Sequence, residues 1–187
     1  MNRRAVFLDR DGVLNEAVVR DGKPYPPSSM AELVVTPEIK PALLSLREAG
    51  FLLIGVSNQP DVRRGKTTKE DVEAINAVLC SQLPVEEIRT CYHDDADQCS
   101  CRKPAPGMLL EAALDHGLDL PASFMVGDRW RDVEAGIRAG CRTVFLDRGY
   151  REKHPVHADG VVRSVPEAVA WILSCPAVDI SERTLTT

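Results

Sequence analysis

Short apolar runs alternate along the chain with segments whose apolar positions fall three and four residues apart. Ala5-Val6-Phe7-Leu8 is a strand-length run closed by Asp9. Phe51-Leu52-Leu53-Ile54-Gly55-Val56 is apolar at almost every position, the pattern of a strand covered on both faces of a parallel sheet. Between them Thr36-Pro37 reads as an N-cap followed by proline at the first helical position. Ile39, Leu43, Leu44 and Leu46 continue the helix, and Gly50 stops it. Further on, Thr68 caps a helix over 69–82, residues 88–92 read as a short strand, and 106–116 as a helix ended by Gly117. Strands over 124–126 and 143–146 flank a helix over 131–139. Val161-Val162 and residues 166–173 supply a last strand and helix. Residues 12–36, with Pro24, Pro26 and Pro27, read as loop.

Strand–helix alternation with apolar strands predicts an α/β fold: a Rossmann-like parallel sheet with helices on both faces. Ligands of such sheets bind beyond the carboxyl ends of the strands. There is no GxGxxG and no P-loop, so the common nucleotide-binding versions lose support. A single domain over 1–173 is expected, with loop insertions at 12–36 and 91–101, no large cap domain, and a polar, frayed tail over 174–187.

Composition narrows the partners. The 187 residues are 44% hydrophobic and 27% charged, with a net charge of −5, so a basic footprint for nucleic acid or an anionic membrane is absent. Arg3 and Arg4 precede only a short apolar run, and no later run reaches membrane-spanning length. A cytoplasmic location is therefore the expectation, and with no long heptad or obvious exposed apolar helix a monomer is expected too. In a reducing compartment the six cysteines are not expected to pair as disulfides. Cys91-x-His93 and Cys99-x-Cys101 bracket one short loop, and three Cys with one His form a closed tetrahedral Zn²⁺ set. Four protein ligands leave no open position, so the zinc is read as structural, a fixture for the nearby Arg102 and Lys103. Cys80, Cys141 and Cys175 read as buried thiols.

The polar residues after each strand carry the chemistry. Asp9-Arg10-Asp11-Gly12 follows the first strand, Ser57-Asn58-Gln59 the second, and Gly127-Asp128 the strand at 124–126, with Asp132 four residues later; Arg102-Lys103-Pro104 precedes the helix at 106–116. Taken singly each is ordinary: Asp and Gly favour turns, and Gly127-Asp128 suits an N-cap. Together on one rim they offer carboxylates for a hard cation such as Mg²⁺, with a lysine and a hydroxyl for a phosphate. Asp9 and Asp11 can divide the labour of nucleophile and general acid/base. An acidic protein repels a phosphate ester at long range, so the metal with Lys103, Arg102, Arg63 and Arg64 has to reverse the sign locally.

These segments, from Phe7-Leu8-Asp9-Arg10-Asp11-Gly12-Val13-Leu14-Asn15 through Val56-Ser57-Asn58-Gln59 and Cys101-Arg102-Lys103-Pro104 to Val126-Gly127-Asp128, resemble the haloacid dehalogenase superfamily. They are most similar to its capless phosphatase branch, which acts on heptose bisphosphate and histidinol phosphate. The resemblance spans about residues 6–173. It implies a Mg²⁺-dependent phosphatase with an aspartyl-phosphate on Asp9. Asp11 is then the general acid/base, with its backbone carbonyl on the metal. Asp9, Asp11 and Asp128 hold Mg²⁺, and Asp132 is an outer carboxylate that supports the metal or Lys103. Ser57 and Lys103 hold the phosphate, and Asn58 and Arg102 lie near the substrate. The implied substrate is a small phosphorylated metabolite: first the 7-phosphate of D-glycero-D-manno-heptose 1,7-bisphosphate, second histidinol phosphate or another sugar phosphate. The loop over 94–98 is short beside many members and acidic, with Asp94, Asp95 and Asp97, and Pro60-Asp61 replaces a small flexible pair; both bear on which ester fits.

Two other classes share parts of this pattern. A receiver-like phospho-acceptor also has an acidic pocket, but it needs no acid two residues after the phosphorylated Asp, and Asp11 is there. A zinc-stabilised binding protein with a dead site would lack one of Asp9, Asp11, Lys103 and Asp128, and all four are present.

Overall fold

The first apolar run becomes β1 (Arg4–Asp9), buried from Ala5 onward. In the computed structural model, which describes residues 3–176, the chain continues into a short hairpin, β2 (Val18–Arg20) with β3 (Lys23–Tyr25), and a one-turn 3-10 helix at Met30–Glu32. Then come α1 (Ile39–Glu48), β4 (Phe51–Asn58), a single turn α2 (Pro60–Arg63), α3 (Lys69–Gln82) and β5 (Glu87–Cys91). They are followed by α4 (Gly107–His116), β6 (Phe124–Gly127), α5 (Trp130–Ala139), β7 (Arg142–Leu146), β8 (Gly160–Val162) and α6 (Val165–Ser174).

Six strands form one parallel sheet in the order β5-β4-β1-β6-β7-β8. β1 lies between β4 and β6, which explains why its run is apolar throughout: both faces are covered. One core packs α1, α3 and α6 on the face carrying Val6, Leu8, Leu53 and Val126. The other packs α4 and α5 on the face carrying Phe7, Ile54, Val56 and Met125. At roughly 25 cal/mol per Å² of apolar area, these two layers supply most of the driving force for folding.

Several local expectations are corrected. Thr36 is not the N-cap of α1: the helix begins at Ile39 with Glu38 as cap, and the Thr36 carbonyl only closes the preceding turn. The cap at Thr68 stands, with the Asp71 carboxylate returning to its backbone N–H. The Gly127-Asp128 segment does not cap α5; Arg129 does, and Asp132 reaches back to its N–H at 3.0 Å. Residues 12–36 are not all loop, because Pro24 sits on an isolated two-stranded hairpin, where its missing N–H breaks no longer ladder. Of the three thiols expected to be buried, Cys141 is; Cys80 and Cys175 are only half-buried. Leu173 is 44% exposed while Ile172 is core, as the helical period requires. The tail expected over 174–187 lies, from residue 177, outside the described residues.

Candidate active site

β1 ends on Asp9, and the chain turns over the sheet edge through Arg10–Asn15. The Arg10 carbonyl accepts the N–H groups of Leu14 and Asn15 at 2.8 and 3.1 Å. Gly12 sits at φ +96°, and a Cβ there would lie 1.8 Å from Asp128 Oδ2, so only glycine lets the turn approach that carboxylate. β6 delivers Asp128, and the first turn of α5 delivers Asp132 against Gly127, where a Cβ would meet Asp132 Cβ at 2.1 Å. Lys103 enters from the segment before α4. Its ammonium donates to Asp9 Oδ1 at 2.7 Å, to the Val56 carbonyl at 2.7 Å, and pairs with Asp132 at 2.6 Å.

The result is a buried group of three carboxylates and one ammonium. Carboxylate oxygens of Asp9, Asp128 and Asp132 lie within 4.8 Å of one another. Burial raises the Asp9 pKa to about 7; Asp132 adds to the rise and Lys103 opposes it. Burial, then the charges of Asp9 and Asp132, push Asp128 well above the ordinary range. Burial works against the Lys103 ammonium, but Asp132 and Asp9 outweigh it, so its pKa stands above that of an ordinary lysine. Among the described residues, neither side-chain oxygen of Asp128 has a hydrogen-bond partner. An orphaned buried carboxylate costs free energy, and a cation between it and Asp9 removes that cost; the oxygen-only donor set suits Mg²⁺.

The other expected residues fall into place unevenly. Asp11 lines the same small cavity as Asp9, Lys103 and Asp132, about 50 Å³ in volume. Its carboxylate, however, is held by Arg10 Nε and Nη2 at 3.1 Å each, Asn15 Nδ2 at 3.2 Å and Gln59 Nε2 at 2.7 Å, and is not part of the three-carboxylate group. The Ser57 hydroxyl is fully buried and accepts from Gln59 Nε2 at 2.8 Å. Asn58 clamps the backbone of Lys103 from both sides: its Oδ1 accepts the Lys103 N–H at 3.0 Å and its Nδ2 donates to the carbonyl at 2.9 Å. Arg102 donates to Asp95 at 2.9 Å and to the His93 carbonyl at 3.3 Å, and faces a second, larger cavity of about 250 Å³. Trp130, two residues beyond Asp128, lines a separate cavity with Pro155 and Val156.

Cys91, His93, Cys99 and Cys101 converge as their spacing predicts. The contacts are 3.2 Å for Cys101–Cys91, 3.4 Å for Cys101–Cys99, 3.7 Å for Cys91–Cys99, and 3.6 and 3.4 Å from His93 Nδ1 to Cys91 and Cys101. Zn–S bonds near 2.3 Å require ligand separations of about 3.8 Å, so the four atoms outline a tetrahedral cage of nearly the right size. All six thiols are free.

Four polar residues and the hairpin escape the sequence. Arg10, fully buried, pairs with Asp11 and reaches Asn76 at 3.0 Å on α3. Gln59 couples Asp11 to Ser57. Arg129 and Arg131 line both cavities, together with Pro24, Tyr25 and Pro26 of the hairpin. The only sequence signal for any of them is adjacency to a motif.

An acidic cluster at the carboxyl edge of a parallel sheet, with a lysine bridging two of its members, is a site for a divalent cation beside a phosphate ester. A HAD-hydrolase-like family model matches residues 100–168. The chain is 33% identical to a D-glycero-D-manno-heptose-1,7-bisphosphate 7-phosphatase of Chlorobaculum tepidum, over 92% of this chain and 96% of that one. It is 30% identical to a D-glycero-beta-D-manno-heptose-1,7-bisphosphate 7-phosphatase of Helicobacter pylori, over 90% and 97%. A crystal structure of a D,D-heptose 1,7-bisphosphate phosphatase from B. bronchiseptica, complexed with magnesium and phosphate, superposes with a TM-score of 0.76 at 28% identity over 91% of this chain and 98% of that one. The chain belongs to this family of HAD-type phosphatases and is a phosphoric monoester hydrolase. Among the described residues no helix is long and apolar enough to cross a membrane.

Proposed function

We propose that this enzyme removes the 7-phosphate of D-glycero-D-manno-heptose 1,7-bisphosphate through an aspartyl-phosphate on Asp9. The observation that carries the mechanism is the bonding of Asp9. Its Oδ1 accepts from Lys103 Nζ at 2.7 Å and from the Arg10 N–H at 2.8 Å, while no described residue donates to Oδ2. One oxygen is anchored and the other is left to attack phosphorus. The relatives' names support the substrate.

Asp9 Oδ2 forms a bond to phosphorus as the ester P–O bond breaks. Protonated Asp11 gives its proton to the leaving alkoxide. Asp11 then takes a proton from water as the water oxygen attacks phosphorus, releasing phosphate and restoring Asp9. The carboxylate of Asp11 comes to these positions by rotating out of the grip of Arg10, Asn15 and Gln59. Lys103 neutralises phosphate charge and is itself fixed by Asn58. Ser57, steered by Gln59, donates to a phosphate oxygen in this reading, and Arg102 meets the far end of the substrate. Asp9, Asp128 and the Asp11 backbone carbonyl would hold Mg²⁺, with Asp132 fixing Lys103 beside it. When bound, the ion withdraws charge from the phosphoryl oxygens. Cys91, His93, Cys99 and Cys101 would hold a structural Zn²⁺. Residues 1–173 act as one catalytic domain, monomeric and cytoplasmic; one six-stranded sheet with a core on each face supports the single domain.

The test is phosphate release from heptose 1,7-bisphosphate and from histidinol phosphate, side by side with Mg²⁺. A kcat/KM at least tenfold higher for the bisphosphate is expected, with loss of turnover in Asp9→Asn. Retained turnover in that variant, or equal and poor values on both esters, overturns the proposal.

A further inference from the structure

The second cavity is rimmed by arginines, and each of them is already tied to a carboxylate. Arg64 is held bidentately by Asp94 at 2.6 and 2.7 Å. Arg129 is held bidentately by Glu152 at 2.5 and 2.8 Å. Arg102 and Arg131 share a single oxygen, Oδ1 of Asp95, at 2.9 and 3.2 Å. The rim residues Lys23, Arg64, Arg102, Arg129 and Arg131 bring five positive charges against the three negative charges of Asp61, Asp95 and Glu152. The cavity is continuous with the one holding Asp9, since Asn58, Arg129 and Arg131 line both. Whatever is esterified to a phosphate at Asp9 therefore extends into this net-positive space.

The three carboxylate locks are not equal. The Asp94 carboxylate also accepts the Asp95 N–H at 2.7 Å, so it is built into the 3-10 turn over Asp95–Asp97. Glu152 is 19% exposed at the side chain and grips one guanidinium with both oxygens. Asp95 is 57% exposed, bridges two guanidinium groups by one oxygen, and makes no other side-chain bond among the described residues. It gives up the least on swinging into water, because exposed ion pairs are weak.

We infer that Asp95 is a specificity-determining residue, a displaceable carboxylate that competes with a second anionic group of the substrate for Arg102 and Arg131. Resting on the bisphosphatase reading above, this assigns the 250 Å³ cavity to the phosphate that is not hydrolysed. It makes the acid of the zinc loop, not the nucleophile, the element that sets how strongly a bisphosphate is preferred to a monophosphate. With Asp95 in place, an ester with no second anion leaves both arginines neutralised. A bisphosphate must first expel the carboxylate, so its apparent affinity is reduced by that competition.

The experiment is Asp95→Asn on the Mg²⁺-loaded enzyme, with Asp95→Glu as the conservative variant. KM is measured for heptose 1,7-bisphosphate and for a heptose 7-phosphate lacking the second phosphate, and Ki for the product, heptose 1-phosphate. The expected result is a threefold to tenfold fall in KM for the bisphosphate and in Ki for the product, the range of one or two exposed ion pairs. KM for the monophosphate should move by less than twofold, and Asp95→Glu should return all three values toward wild type. Equal shifts on the two esters, or a weaker product in Asp95→Asn, overturn the inference. A wild-type enzyme that hydrolyses neither ester overturns instead the reading on which it rests, and zinc content and melting temperature matching wild type exclude a merely structural effect.

Discussion

Lys103 is the residue on which the site's electrostatics turn. Its ammonium lies in contact with Asp9 and Asp132 in a group that otherwise holds only negative charge. Removing one partner from a buried ion pair costs roughly 3–5 kcal/mol because the remaining charges are left uncompensated. In a domain of this length that corresponds to a melting-temperature drop on the order of 10 °C. Lys103→Met should therefore abolish turnover and show such a drop at pH 8, and the deficit should shrink at pH 5, where the raised pKa of Asp9 lets it take up a proton. Circular-dichroism melts at the two pH values check this, and a deficit independent of pH would count against it. The motif residues themselves, Asp9, Asp11, Asp128 and Lys103, were legible in the sequence because their four segments occur together and in order, although each alone suits a turn or a cap. Arg10 was not, since an arginine inside a turn motif reads as solvated; only packing against α3 shows it buried.

At the scale of elements, two small ones shape the site: the β2–β3 hairpin and the loop over 91–101. The cysteine spacing predicted the second outright. Lys103 has its own anchor in Asn58, whereas Arg102 bonds the loop itself through the His93 carbonyl and Asp95. Loss of this Cys/His cage should thus disturb the outer cavity more than Asp9. Cys99→Ser is expected to lower bound zinc below half an equivalent and to raise KM severalfold with a smaller loss in kcat. Metal analysis with steady-state kinetics decides; a selective fall in kcat would be the contrary outcome. The hairpin had no comparable signal. Its three-residue strands and its prolines read as loop, and it becomes an element by packing over the cavity with Pro24, Tyr25 and Pro26.

For the molecule as a whole, the carboxylate group links fold, metal and pH. In the metal-free protein the Asp9 pKa is raised from 3.8 to about 7. A raised carboxylate contributes stability that is complete below pH 3.8 and is lost as pH climbs through 7. A divalent cation binds the ionised form, so it reverses this trend: binding should release protons near pH 6.5 and weaken about tenfold per unit below pH 7 for each proton displaced. At a hundred times Kd the ion should add about 2.7 kcal/mol of stability. Calorimetric titration of Mg²⁺ in two buffers of different ionisation enthalpy would reveal the protons, and identical heats in both would refute the prediction.

The sequence by itself determined the α/β class, the parallel sheet, the four motif segments and the cysteine cage. Each of these rests on local periodicity, or on side chains whose spacing admits few other uses. What only the tertiary structure decided is how those pieces bear on one another. Strand order brings Asp9 between Ser57 and Asp128, and Gly12 lets the first turn reach the Asp128 carboxylate. Asp132 takes the second of the two roles the resemblance offered it, supporting Lys103, and also accepts the Arg129 N–H. The arginines that looked free to receive a phosphate already hold the acids of the neighbouring loop. Pairing between residues tens of positions apart depends on which strand ends the sheet brings together, and local spacing does not specify that.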